Sequence, residues 1–403
     1  MSQMNRRRAL QLLAALGTTG LAAGCGSDSE NAGASSGKPI KIGLIVPGAG
    51  ANKAIGDEIS NGFQLFLSLN DQRLGGHPVT LVSAEEGENA KSGQAAVDRL
   101  LKEGALALTG VVSPEVILGI RDMVEQARVP LVCSNASPTS LQSVVYIWRT
   151  SYALEEPGRA LGQYLNQTLL AGRRIAILAP NNRSSRDVIA GFRAGYEVNG
   201  RHIDDEPILT VDVPNPRKGT YTGAIRQALN PKKPADVIFC HYAGTAAVQF
   251  IKQLYDEGYR GPIYAPGFLT EGTVLDELES EIASIERSGL ETALNYSADL
   301  NNTANRVFAS AYRKTYRVSP TTYAMASYDA AQVLDKAIRL VGSDPTPQQL
   351  NLALGKIGQI DSPRGPWQFN QPRTPQQKWY LRRVQRDGQL LSNVVISELS
   401  TLG

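Results

Sequence analysis

Two serines, each followed by proline and each placed shortly after an apolar run of buried-strand length, are the residues of this chain best disposed for chemistry. Ala105 to Thr109 is the first run, closed by Gly110. Ser113-Pro114-Glu115 then opens a helix, with a hydroxyl at the N-cap, proline at the first helical position and an acid in the first turn. Val129 to Cys133 is the second run, and Ser137-Pro138 follows it. A β-α-β crossover is right-handed and makes its strands parallel, so both strand ends fall on one edge of the sheet. Two hydroxyls and two sets of backbone N–H groups would converge there on one crevice. That suits an anion, most simply a ligand carboxylate. Ser-Pro is also an ordinary structural cap, so the rest of the chain decides between the readings.

The elements that would position these turns alternate strand and helix twice over. Ile40 to Val46 starts the first series, followed by a loop from Pro47 to Gly56 and a helix with Ile59, Phe63, Leu65, Phe66 and Leu69 on its buried side. Val79–Ser83 and the helix Ala90–Lys102 lead to the segment above, where Val116, Ile120, Met123, Val124 and Ala127 keep one apolar stripe. Val144 to Thr150 leaves this first lobe. A second series runs from the helix Glu155–Leu170 through strands at 174–179, 208–213, 236–240 and 262–265, with helices between them. Such alternation predicts an α/β fold: two similar doubly wound lobes of mostly parallel sheet, with a ligand cleft between them. Beyond Glu291 the pattern changes to helices at 304–316 and 323–341, then strand-like runs at 364–370, 378–384 and 391–397.

Residues 1–24 read as an export signal: Arg6, Arg7 and Arg8 precede a compact apolar run from Ala9 to Ala23, too short for a permanent span. Leu21-Ala22-Ala23-Gly24-Cys25 resembles a bacterial lipobox, which would make Cys25 a lipidated first residue and a membrane anchor. The arginine group also resembles a twin-arginine signal. Residues 25–38 have the composition of a flexible tether. The leader's arginines account for the net charge of +3, which removes support for nucleic-acid binding. Cys133 and Cys240 end apolar strands and read as small core residues, placed in different lobes and so not disulfide-bonded. Three histidines, His77, His202 and His241, give no metal-site spacing, and no cofactor is expected. Gly48-Ala49-Gly50 lacks the third glycine of a dinucleotide loop and the Gly-Lys-Ser/Thr of a phosphate loop. Without a Gly-x-Ser-x-Gly motif, a hydrolase is not expected.

From Ile40 to about Val395 the chain resembles the leucine/isoleucine/valine-binding family of class I periplasmic solute-binding proteins of ABC transporters. The resemblance rests on the leader, IKIGLIVPGAG, LTGVVSPE, VPLVCSNASPTSL, YIWRT, DVIFCHYAG, ASYDAAQVLDKAI and RGPWQFN, in that order. It implies two lobes joined by three crossings, with residues 39–151 and 290–378 in lobe one and 152–289 and 379–403 in lobe two. Ser113 then falls where the family holds a ligand carboxylate by hydroxyl and N–H. Ala136 and Ser137 fall on the second carboxylate-binding turn, and Tyr242 on a cleft tyrosine. Ile55 stands where an aromatic residue is expected, and Gly267, beside Phe268, where an acid would receive a ligand ammonium; a tyrosine near Ser185 is also missing. Glu155 offers a replacement negative charge, against its reading as an ordinary first-turn helix acid. The implied function is a monomeric, lipid-anchored receptor that closes by hinge bending on an amino acid or a related carboxylate or amide and delivers it to an ABC permease. The alternative is an extracytoplasmic sensor that hands its closed form to a signalling receptor.

Overall fold

The computed structural model describes residues 37–403 except Ala51, Pro214 and Gln389; the signal, Cys25 and nearly all of the tether lie outside the described residues. In the first lobe the elements are β1 (Ile40–Val46), α1 (Lys53–Leu69), β2 (Arg73–Leu74), β3 (His77–Glu85), α2 (Ala90–Lys102), β4 (Ala107–Gly110), α3 (Pro114–Ala127), β5 (Leu131–Cys133) and β6 (Ile147–Arg149). The strands form one sheet in the order β2-β3-β1-β4-β5-β6, parallel apart from the short β2. Order reverses at β1, so the crevice between β1 and β4 is where a doubly wound sheet receives ligands. Along β1 alternate residues bury on opposite faces. Ile42 packs with Phe63 and Phe66 of α1, and Ile45 packs with Val97 and Leu100 of α2. A Cβ on Gly43 would come within 2.8 Å of the Leu100 side chain, so glycine lets α2 lie close on the sheet.

The second lobe holds α4 (Glu156–Thr168), β7 (Ile175–Pro180), α5 (Arg183–Tyr196), β8 (Ile208–Thr210), α6 (Thr222–Ala228), β9 (Val237–Cys240), α7 (Gly244–Asp256), β10 (Ile263–Pro266), a 3₁₀ turn at Gly267–Thr270, α8 (Ile282–Ser288) and β11 (Leu290–Leu294). The chain then returns to the first lobe as α9 (Thr303–Tyr316), α10 (Thr322–Val341) and α11 (Pro347–Leu354). There Ala330, Leu334 and Ile338 of α10 bury against Phe63 and Phe66. The short β12 (Gln368–Phe369) precedes β13 (Pro375–Asp387) and β14 (Leu390–Leu402), an antiparallel pair that completes the second sheet beside β11.

Two lobe boundaries differ from those read off the sequence. Leu290–Leu294, assigned by sequence to lobe one, is hydrogen-bonded between β10 and β13, with Leu290, Ala293 and Leu294 buried in the second lobe's core. β13 likewise enters the second sheet at Pro375, not after residue 378. The crossings therefore lie at 150–155, 295–302 and 370–374. Arg364 fastens the first of them. Its guanidinium donates to the carbonyls of Thr150 and Ser151, and it pairs with Asp329 of α10 at 2.6 Å, both side chains wholly buried.

Candidate functional site

The turn after β4 is built on a backbone that most residues avoid. Gly110 has φ +101° and Val111 φ +65°. For a β-branched residue the left-handed region is a true outlier, tolerated only where surrounding contacts fix it. The consequence is that the next two amides point the same way: Val112 N–H and Ser113 N–H donate at 2.8 and 2.7 Å to the two oxygens of one carboxylate, Glu86. Converging N–H groups of this kind make an anion cradle. Glu86 follows β3 directly and is 1 % exposed. Burial pushes its carboxyl up to about 7, the two N–H bonds working against that rise.

Ser113 is thereby partly committed within the fold. It is the N-cap of α3, its Oγ accepting Val116 N–H at 3.4 Å, but its own N–H is not offered to the crevice. The second turn is also closed on itself: Ala136 N–H donates to Val111 carbonyl at 3.0 Å, and Asn135 Nδ2 donates to Val112 carbonyl at 2.9 Å. Ser137 is fully buried and its hydroxyl has no protein partner among the described residues, so this expected donor is left over.

Across the gap, acids of the second lobe meet donors of the first. Asp187 of α5 accepts both Thr139 N–H (3.0 Å) and Thr139 Oγ1–H (2.6 Å), and Arg183 reaches Ser140 Oγ at 3.5 Å. Glu271 accepts Thr322 N–H, at the start of α10, at 3.4 Å, while Arg382 of β13 holds its other oxygen at 2.7 Å. Beside Thr322, Thr321 Oγ1–H donates to Glu58 of α1. Burial and the charge of Glu271 raise the Glu58 carboxyl to about 8, against the pull of that hydrogen bond. Phe268 lies between the two lobes' aromatics, stacked on Tyr152 of the first crossing (5.8 Å) and on Tyr323 of α10 (5.6 Å, planes 6° apart). Ile55 packs against the same cluster as Phe268, made by Leu44, Val46, Ile59, Val112 and Tyr323.

A family model described as "Periplasmic binding protein" matches residues 39–389 of this architecture. The chain belongs to the periplasmic binding protein family. It is a binding protein and not an enzyme, and membership implies an extracytoplasmic location. Among curated relatives, "Leu/Ile/Val-binding protein homolog 6" of Brucella melitensis is 22 % identical over 360 residues, spanning 86 % of this chain and 87 % of that one. A Rhodopseudomonas palustris ABC transporter solute binding protein, solved with benzoate, shares the fold with a TM-score of 0.75 at 24 % identity, over 89 % of this chain and 98 % of its own. A Thermotoga maritima leucine binding protein aligns with a TM-score of 0.76 at 18 % identity, over the same shares.

In this binding protein two further expected residues take other places. Tyr242 is 2 % exposed, in the second lobe's core, stacked on Phe250 at 4.2 Å, with its hydroxyl on Thr210 Oγ1 at 3.2 Å. The expectation of a cleft-exposed tyrosine fails because the strand exit turns this ring under α7. Gly267 is buried, and a Cβ there would stand 2.7 Å from Leu294 and 2.8 Å from Arg382, so no acid fits. Four residues on, Glu271 is paired with Arg382 at 2.7 Å. Glu155 is the ordinary helix acid, paired with Arg159 at 2.8 Å. Cys133 and Cys240 are buried free thiols. Ser185 Oγ and His241 Nδ1 meet at 3.0 Å, but both are buried, and burial lowers His241 to about 4, so the pair ties β9 to α5 as a neutral structural contact. A cavity of about 720 Å³ adjoins the first and third crossings, with Arg149, Glu155, Glu156 and Pro372 in its wall and, apart from Glu155, none of the expected ligand residues.

Sequence reasoning missed Glu58, Glu86, Asp187, Glu271 and Tyr323. The one available signal was positional: Glu85-Glu86 ends a strand at the ligand-binding edge of the sheet.

Proposed function

We propose that this protein is the substrate-binding lipoprotein of an ABC importer, which captures a small polar solute between its lobes and presents the closed form to a permease. The observation that carries the reading is the set of cross-gap contacts, Thr139 to Asp187, Thr322 to Glu271 and Tyr323 to Phe268. Each joins one lobe to the other at the edges where doubly wound sheets take ligands, so each is made or lost as the crossings bend. A solute that touches both lobes adds to these contacts and shifts the equilibrium by the contacts unique to the closed form. Micromolar capture needs about 8 kcal/mol, which a few charge-assisted hydrogen bonds and one aromatic contact can supply. The R. palustris and T. maritima neighbours support a solute in the size range of an amino acid or small aromatic acid.

The test is an interlobe distance. Spin labels on cysteines introduced at Leu352 and Val211, both exposed and one in each lobe, leave buried Cys133 and Cys240 unlabelled in a Cys25→Ala background. Addition of a cognate amino acid, amide or small acid is expected to deplete the longer distances. A distribution unmoved by every compound in such a panel contradicts solute capture. Anchoring is tested separately: fatty-acid label and membrane partition are expected for the full chain and absent in Cys25→Ser.

A further inference from the structure

The donors along the first lobe's edge are met by the chain's own carboxylates. Val112 and Ser113 N–H go to Glu86, Thr139 N–H and hydroxyl to Asp187, Thr321 hydroxyl to Glu58 and Thr322 N–H to Glu271. At α3, among the described residues, the Glu115 N–H and the Ser113 hydroxyl proton are the donors left. Pro114 has no N–H, and Val116 N–H is taken by Ser113 Oγ. The strained φ of Val111 is an independent mark that the turn is shaped around Glu86. Among the described residues Glu86 makes no ion pair, so no cation waits there to compensate a second negative charge.

We propose that Glu86 sits where a solute carboxylate would otherwise be held, and that the solute presents to this turn an uncharged or N–H-donating end: a primary amide, a urea or an amine. This rests on the solute-capture reading above and names its ligand class. A second carboxylate on the same amides would face Glu86 at close range in a desolvated crevice, where like charges disfavour one another. A donor is favoured instead, because each Glu86 oxygen spends one lone pair on the backbone and keeps another. The unpartnered Ser137 hydroxyl, in the adjoining turn, can donate or accept and so matches an amide.

Paired calorimetric titrations of the full chain test this: 4-methylpentanamide against 4-methylpentanoate, benzamide against benzoate, acetamide against acetate, with urea and isopentylamine alongside. At least one amide, amine or urea is expected to bind, at least tenfold tighter than its carboxylate partner. Tighter binding of the carboxylates overturns the proposal, as does binding by no member of the set. Glu86→Gln, which keeps the volume and one acceptor, is expected to cut the preference at least tenfold; an unchanged preference in a folded variant removes Glu86 as the determinant. Solute capture itself stands or falls on the interlobe distance, so the two failures are distinguishable.

Discussion

Glu86 in the first lobe reaches along its own sheet edge to the amides of Val112 and Ser113, whereas Asp187 and Glu271 in the second lobe reach over the gap to Thr139 and Thr322. The first contact exists in any arrangement of the lobes; the other two exist only when the lobes meet. One acid therefore belongs to the fold and to ligand choice, and the others to closure. Their neighbours differ accordingly. Glu86 has only backbone donors, while Glu271 is held by Arg382, itself buried.

Four outcomes would break or sharpen this contrast. The largest is a pH effect on the acids without cationic partners. Glu58 is raised to about 8, and Glu86 and Glu156 to about 7, from a usual value near 4.5. A carboxyl raised in the folded state keeps its proton better there than in the unfolded chain. Its contribution is thus complete below pH 4.5 and is lost as pH climbs from there through 7 to 8. Urea midpoints measured from pH 5 to 8.5 should fall, and Glu86→Gln should flatten the slope. Next is Glu271→Ala, which strands Arg382 as a buried cation and should cost about 3–5 kcal/mol in urea unfolding. Glu86→Ala leaves two amides without an acceptor and should cost roughly 2–4 kcal/mol, with crystallography showing Val111 relaxed from positive φ. Smallest is Asp187→Asn. It should change folding by less than about 1 kcal/mol yet increase the radius of gyration in X-ray scattering, because the contact it weakens lies between the lobes. A compact Asp187→Asn would place closure elsewhere.

How far the residues announced all this depends on what each feature needs. The alternating fold follows from periodicity alone, and α2 runs from Ala90 to Lys102 as its stripe and Asn89 cap dictate. The cap role of Ser113 was legible for the same local reason. Tyr242 was not, since a strand exit fixes where the backbone leaves the sheet but not whether the ring turns out or under the next helix. Gly267 reads as a lost charge in one dimension; in three it is a glycine pressed on Leu294 and Arg382, beside the Arg382–Glu271 pair. β11 was misplaced because Leu290–Leu294 is equally apolar in either sheet, and only its partners β10 and β13 decide. Glu86 carries no spacing signature at all. Its role arises from the unusual Val111 backbone, which no composition or period records.

The most direct test follows the amide resonances of Val112 and Ser113 in the labelled protein while benzoate or acetate is added. With Glu86 in place both signals should stay where they are up to millimolar additions. A saturable shift of both, with release of Glu86, would mean that a solute carboxylate takes that seat after all.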